Sequence, residues 1–185
     1  MQSAQSPEGD SLNFLNSYPS GQETIILPSG KEVTIKKYFL KFKPWAGEKI
    51  AFDYGRKPII NYDGEACFAE LAILRMFFKN GWDGAWVESY GGTHYLNSMP
   101  QNWSLKPEHI SIPEEKENLL KKIWHAGQTK ACFDVVVWHG DEIVFCEAKR
   151  SKKDRLTEAQ KKFIQGAITC DIPSSALIII EWEFC

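Results

Sequence analysis

The chain has 185 residues, the size of one domain, and its 43% hydrophobic and 13% aromatic content can form a buried core, which excludes wholesale disorder. Its 22 basic and 24 acidic residues give a formal charge of −2, which excludes a uniformly basic nucleic-acid coat. No apolar run reaches the roughly 18 to 20 residues of a membrane-spanning helix, so no membrane association is expected. The polar residues 1–10 do not resemble a signal peptide, and the odd, widely spaced set of five cysteines favours a reducing compartment. We therefore expect a cytoplasmic protein, or a nuclear one in a eukaryote.

The first third of the chain predicts a leader followed by a β-hairpin. Residues 1–20 are rich in Ser, Gln, Pro and Gly, which predicts a flexible leader. Residues 23–27 and 33–42 have the composition of strands and flank a turn-rich trio at 28–30, which predicts a hairpin. Together with an irregular stretch, this hairpin makes an N-terminal β extension over 21–62. Three roles for the extension stay open: covering a sheet edge, binding substrate and forming a dimer.

Residues 63–185 predict an α/β core with an insert at about 93–131. Its elements, in chain order, are a buried helix over 65–79 that ends at Asn80-Gly81, a strand over 82–88, a helix that opens at Pro113 and ends at Gly127, a strand over 132–138, a tight turn at 139–141, a strand over 142–149, a helix over 157–168 and a strand over 176–183. This order indicates a central sheet flanked by helices, and the last strand is apolar enough to be central.

One acid in the first predicted helix lies in apolar company. Glu70 falls in mid-helix, and its neighbours three and four positions away are Ala66, Cys67, Ile73 and Leu74. A buried carboxylate without a partner is costly, so a cation, a hydrogen-bond donor or a metal is expected beside Glu70. Glu65, in contrast, is predicted in the first helical turn, where an acid interacts with the helix dipole.

A second pair of acids lies on the two strands that follow. Asp134 interrupts an apolar strand, and Glu147 and Lys149 share one face of the next; a hairpin between the two strands brings Asp134 near Glu147. Two adjacent carboxylates repel unless a proton or a cation lies between them, and a single ammonium cannot neutralise both. A hard divalent cation such as Mg²⁺ can. The alternative for Glu147 and Lys149 is an ordinary ion pair at the end of a strand.

The stretch that follows is strongly basic. Residues 148–162 contain seven basic and two acidic side chains, a local charge of +5 in a chain whose formal charge is −2. Such a stretch predicts a surface that faces phosphates, and its alternative is a solvated loop and helix start. The residues predicted to bind nucleic acid are Arg150, Lys152, Lys153, Arg155, Lys161 and Lys162.

These motifs resemble those of the PD-(D/E)XK nuclease superfamily. Glu147-Ala148-Lys149 follows Asp134 by thirteen residues, and the helical Glu70 precedes both. The run 156–163, with Gln160, is similar to the helix after E-x-K in the VRR-NUC branch, and residues 70–81 with 86–92 are similar to the opening helix and strand of Holliday-junction-resolvase-like proteins. The resemblance covers about 63–183, and Phe133 stands where the family name has proline.

The resemblance implies a restriction-endonuclease-like fold, a mixed central sheet flanked by helices, and a metal site. Asp134, Glu147 and the backbone carbonyl of Ala148 would bind Mg²⁺ or Mn²⁺, with Glu70 acting through a water. Lys149 would position the attacking water and stabilise the developing charge. For Gln160 two roles stay open, because Thr157-x-x-Gln160 is also a capping box.

The expected function is a metal-dependent nuclease, a DNA endonuclease of repair, recombination, phage replication or defence. A homodimer is the expected assembly if both strands of a duplex are cut. Two alternatives stay open: a non-catalytic nucleic-acid-binding or assembly module on the same fold, and an RNA-processing nuclease.

Overall fold

A mixed nine-stranded sheet carries three α-helices on its two faces. The computed structural model describes residues 11–50, 56–89, 92–99 and 109–185. The strands are β1 (Ser20–Ile26), β2 (Glu32–Pro44), β3 (Ile60–Tyr62), β4 (Glu65–Cys67), β5 (Asp83–Glu88), β6 (His94–Leu96), β7 (Val135–His139), β8 (Glu142–Arg150) and β9 (Leu177–Phe184). The helices are α1 (Ala69–Lys79), α2 (Glu114–Gly127) and α3 (Glu158–Thr169).

The centre of the sheet is the part that carries the acids. The strand order is β4-β3-β2-β9-β8-β7-β5-β6, with β1 paired to β2. The β-branched run of β7 pairs antiparallel with β8 through a turn in which Gly140 takes the left-handed φ of 58° that glycine tolerates. β9 pairs in parallel with both β8 and β2. The predicted hairpin at 139–141 and the central position of the last strand are confirmed.

Each face of the sheet is covered by a separate apolar layer. α1 packs on one face, where Leu71, Leu74 and Phe77 are buried against Val135 and Ile180. α2 and α3 cover the other face with a second buried cluster. Since successive residues of a strand point to opposite faces, β8 presents its side chains alternately to the two layers. The chemistry of a site on β8 is therefore divided between both faces.

The predicted insert at 93–131 contributes a structural layer, because α2 packs along α3. Gly127 and Gly166 allow this close approach: a Cβ on Gly127 would lie 2.3 Å from the carbonyl oxygen of Lys162. The predicted end of α2 at Gly127 is confirmed, and the left-handed residue beyond it is Gln128, with φ 50°. Gly127 is thus required for helix packing.

The N-terminal extension is part of the main sheet. The predicted hairpin is present as β1 and β2, but β2 also pairs with β9 over seven residue pairs. The leader expected at 1–20 is not loose where the structure describes it, because a 3-10 helix over Asn13–Ser17 buries Leu15 completely. Residues 1–10 lie outside the described residues. Leu15 packs in the buried cluster that contains α1, a contact that the composition of the segment does not predict.

The first helix begins later than its sequence predicts. Residues 65–67 form β4, which pairs with β3, and α1 starts at Ala69. Glu65 is therefore in a strand, where it forms an ion pair with Arg75, and Glu70 is in the first turn of α1 and not in mid-helix. Backbone hydrogen bonds to β3 outweigh the helical propensity of this segment.

None of the helices in the described ranges is long and apolar enough to cross a membrane. All five cysteines are free thiols.

Candidate functional site

Asp134 and Glu147 lie beside each other at the start of β7 and on β8. The register that pairs Val135 with Cys146 places Asp134, the residue before β7, opposite Glu147. The backbone N–H of Asp134 donates to Glu147 Oε2 at 3.2 Å, and the N–H of Ala148 donates to Asp134 Oδ2 at 3.0 Å. The two backbones thus fix both carboxylates. Ala148 takes part in this contact through its backbone N–H.

Lys149 and Gln160 surround the second carboxylate. Glu147 is 1% exposed, and its Oε1 accepts a short hydrogen bond from Gln160 Nε2 and lies 2.7 Å from Lys149 Nζ. Gln160 Oε1 accepts from Lys149 Nζ at 3.1 Å and from the N–H of Thr157 at 3.0 Å. The capping-box role of Gln160 is confirmed, and the same side chain contacts Lys149 and Glu147. It completes the capping box of α3, and it holds Lys149 against Glu147.

Glu70 has a partner that the sequence did not reveal. Its Oε1 lies 2.6 Å from the ammonium of Lys57, which also lies 5.5 and 5.1 Å from the ring centroids of Phe68 and Trp86. Glu70 is 7% exposed, and its Oε2 is buried without a hydrogen-bond partner in the described structure. Lys57 falls in a segment without periodicity, so no sequence signal identifies it. Glu70, Asp134, Glu147, Lys57 and Lys149 are called the acid centre below.

Burial disfavours the ionised forms of Asp134 and Glu147. Burial raises the pKa of Asp134 well above its ordinary value, and the charges of Glu147 and Glu70 raise it further, while Lys57 opposes the rise. Burial also raises the pKa of Glu147, against the lowering effect of Lys149. The pKa of Lys57 is raised, because Glu70 and Asp134 outweigh the effect of its own burial. Three carboxylates with two ammonium groups leave the acid centre short of positive charge.

The acid centre is not a preformed cage for a metal ion. Among the residues described, no three His, Cys, Asp or Glu side chains are grouped so that they could hold one. Glu70 turns to Lys57, and both oxygens of Glu147 accept hydrogen bonds from the protein. The chemistry of the oxygens nevertheless suits a hard divalent cation, and the unpartnered Glu70 Oε2 can accept one more cationic or donor group.

The basic stretch divides between two cavities on either side of the acid centre. Lys152, Arg155 and Lys161 line a cavity of about 520 Å³ that also contains Lys149. Arg150 and Lys153 line a second cavity, of about 300 Å³, with Lys57, Glu70 and Ala148. The guanidinium of Arg150 lies 5.6 and 5.0 Å from the ring centroids of Trp182 and Phe184.

Two of the predicted nucleic-acid-binding residues are placed less favourably. Lys161 forms an ion pair with Glu158, Nζ to Oε1 2.6 Å, so part of its charge is compensated. Lys162 is exposed on α3, beside the backbone contact with Gly127. Like Lys161, the other four predicted residues line the two cavities. The basic residues divide between the two cavities because successive side chains of β8 point to opposite faces of the sheet and the chain turns after β8.

Comparison of the chain with protein-family models, with curated proteins and with solved structures finds no match. The functional interpretation therefore depends on the geometry of the site.

Proposed function

We propose that the chain is a Mg²⁺- or Mn²⁺-dependent phosphodiesterase that cleaves DNA, on a restriction-endonuclease-like fold. One observation carries the proposal: the partly buried carboxylate of Asp134 and the buried carboxylate of Glu147 lie side by side with too little positive charge, next to Lys149 and between two basic cavities. Burying carboxylates without full compensation is costly, because an uncompensated buried charge destabilises the fold.

The order of elements supports the same fold. α1 carries Glu70, β7 follows Asp134, β8 carries Glu147 and Lys149, and α3 carries Gln160. This is the series of motifs on which the resemblance to PD-(D/E)XK nucleases depends. The mixed sheet, with parallel pairing of β8 and β9, agrees with it.

The proposed metal ligands are Asp134 and Glu147, with the carbonyl of Ala148 and with Glu70 through a water. A divalent cation bound there would lower the pKa of a water molecule and neutralise charge on the phosphate. The unpartnered Oε2 of Glu70 and the raised pKa of Asp134 are the observations that fit this cation. Binding it requires Glu147 to exchange some of its hydrogen bonds.

The proposed role of Lys149 is to orient water and stabilise charge. Glu147 and Gln160 hold its ammonium from two sides, which leaves one of its three N–H groups to point toward the 520 Å³ cavity. A fixed donor at this place stabilises the negative charge that develops on a phosphate oxygen, because it needs no reorientation during the reaction. Gln160 positions Lys149 and is fixed in turn by the capping box.

The test is cleavage of plasmid, flap and junction DNA with Mg²⁺, with Mn²⁺ and with EDTA. Cleavage that needs the metal and disappears in Glu147→Gln is the expected result. Glu142→Gln, the same exchange at the exposed start of β8, is the matched control and should cleave normally. Full activity of Glu147→Gln would refute the assignment of the site.

A non-catalytic nucleic-acid-binding module is the second candidate, and Lys57 is the observation that favours it. Its ammonium supplies from within the chain some of the positive charge that a metal would bring. Calorimetric titration with Mg²⁺ separates the two candidates. No heat of Mg²⁺ binding, together with a DNA affinity that is the same with and without Mg²⁺, would support the non-catalytic module.

A further inference from the structure

The first strand of the hairpin, β1, is an edge strand of the sheet. It pairs antiparallel with β2 over seven residue pairs without a bulge, and among the described residues no strand pairs with its other edge. Directly after β1, the N–H of Leu27 donates to the carbonyl oxygen of Lys31 across the hairpin. Because the bonding alternates along an antiparallel pair, the odd-numbered residues of β1 direct their backbone groups to β2. The even-numbered residues direct theirs to the free edge: Ser20, Gln22, Thr24 and Ile26.

This free edge lacks the features that usually prevent two sheet edges from pairing. Such protection comes from lysine or proline within the strand, from a bulge or from a short strand. β1 contains no lysine or proline, and its one charged side chain, Glu23, forms an ion pair with Lys37 of β2 at 2.7 Å. The side chains of all four outward-bonding residues are exposed, and Ile26 is 61% exposed. A free edge of this kind can bind a further strand through its backbone groups.

The sequence of β1 is complementary to itself when a second copy runs antiparallel to it. Around a twofold axis at Thr24, Gln22 of each copy lies opposite Ile26 of the other, so the stem of the amide side chain covers the exposed isoleucine. Glu23 then lies opposite Ile25, and no like charges face each other across the axis. An axis one residue earlier would place two Glu23 side chains opposite each other, which is unfavourable.

The residues of β2 beside this edge fit the same alignment. Thr24 lies opposite Thr34 of β2, with 3.3 Å between the two hydroxyl oxygens, so the axis joins two such pairs into one row of threonines. In the row on either side, Glu32 of one copy and Lys36 of the other form the two ends. Each row therefore carries one acid and one base, and the exposed face across the two copies is balanced in charge.

We propose that two copies of this chain associate through β1, antiparallel and around a twofold axis at Thr24, so that their sheets form one continuous sheet. The outward groups of Gln22, Thr24 and Ile26 supply about six backbone hydrogen bonds between the copies. The inference goes beyond the proposed function, because no residue of the acid centre takes part. Of the three roles considered for the N-terminal extension, it assigns the formation of a dimer.

The alignment is tested by disulfide formation in Thr24→Cys, in a Cys185→Ser background that removes the exposed native thiol. Residues that exchange both hydrogen bonds across an antiparallel pair have Cα atoms about 5.5 Å apart, within the range of a disulfide. Thr24→Cys should therefore give a covalent dimer on a non-reducing denaturing gel after mild oxidation.

Thr34→Cys in the same background is the matched control, because it is the same exchange on the same exposed face. Its two copies lie three strand spacings apart in the dimer, about 14 Å, which is too far for a disulfide. It should stay monomeric on the gel. Equal cross-linking of Thr24→Cys and Thr34→Cys would overturn the alignment.

Sedimentation equilibrium measures the association itself, without metal or DNA. The wild type should approach twice the mass of one chain as its concentration rises. Thr24→Lys places two ammonium groups opposite each other at the axis and should weaken the association by about fivefold. Thr34→Lys loses the same hydroxyl contact but keeps the two ammonium groups apart, so its affinity should stay within about twofold of the wild type.

Two results would overturn the inference. A wild type that stays monomeric at every concentration would leave the free edge of β1 to a strand of a different protein. Equal affinities of Thr24→Lys and Thr34→Lys would show that the copies associate through another surface.

Discussion

Two clusters of lysine and carboxylate side chains lie on the same sheet, and their electrostatics differ. In the hairpin cluster, which consists of Glu23, Lys37 and Glu181, the two acids converge on one ammonium. Burial opposes the charge of Glu181, but the hydrogen bonds from Lys37 and Ser151 outweigh it and lower its pKa. In the acid centre the pKa of Asp134 is raised. The hairpin cluster stabilises its charges, whereas the acid centre holds charges that it does not satisfy.

The two clusters differ in electrostatics more than in burial or residue type. Both contain partly buried lysines paired with glutamates. Only the acid centre leaves a buried carboxylate oxygen, Glu70 Oε2, without a partner among the residues described. An unmet requirement for positive charge is typical of a site that binds a cation or stabilises one in a reaction.

The largest effect is expected from neutralising one acid of the acid centre. Asp134→Asn should reduce metal-dependent DNA cleavage on the order of 10³-fold or more, because the metal loses a charged ligand. Asp141→Asn, the same exchange in the exposed turn after β7, is the control. Rates are measured at saturating Mg²⁺, and a loss of less than about tenfold would show that Asp134 is not a ligand.

The next effect concerns the ammonium that faces the cavity. Lys149→Met should reduce cleavage by about 10²- to 10³-fold, because a fixed donor to the developing charge is removed. Lys121→Met on α2, where the lysine forms an exposed pair with Glu117, is the control. Single-turnover rates separate this loss from weaker binding, and an unchanged rate would contradict the role of Lys149.

A substitution in the hairpin cluster should change the stability of the fold and not the rate of DNA cleavage. Lys37→Met should lower the free energy of unfolding by about 1 kcal/mol, since two glutamates lose their common partner in a partly buried place. Lys41→Met removes a lysine of the same strand from an exposed pair with Glu183 and should change the free energy of unfolding by less than about 0.5 kcal/mol. Urea denaturation measures the free energy of unfolding of both variants. An equal loss in Lys37→Met and Lys41→Met would show that the hairpin cluster stabilises the fold no more than an exposed ion pair does.

The smallest effects have opposite signs in the two clusters. The pKa of Asp134 is raised by the fold, so this carboxyl costs stability as the pH rises above its unfolded pKa, and Asp134→Asn in EDTA at pH 7 should stabilise the protein by about 1 kcal/mol.

The pKa of Glu181 is lowered by the fold, so its ionised form adds stability above the unfolded pKa. Glu181→Gln should therefore destabilise the protein, by less than about 1 kcal/mol because solvent screens the pair. Thermal unfolding in EDTA gives both signs. Equal signs would refute the contrast between the clusters.

The sequence was sufficient for the central elements of the fold and for most of the acid centre. Strong local patterns identify β7, β8, α3 and β9, and strand parity with a short hairpin brings Asp134 to Glu147. The pattern also indicates the capping box that Gln160 completes. These predictions depend on neighbours along the chain or across one tight turn, which are the interactions that a single sequence encodes most directly.

Only the tertiary structure decided the rest, because the deciding contacts join distant segments. Lys57 reaches Glu70 from an aperiodic segment, β4 replaces the first predicted turn of α1, and Leu15 packs from the expected leader. The parallel pairing of β2 with β9, across about 140 residues of sequence, brings the hairpin to the rim of the acid centre. Hydrophobic periodicity does not specify which strands pair over such separations. The sequence by itself therefore determined the acids and their local order, and the long-range pairing determined which cations and which cavity they face.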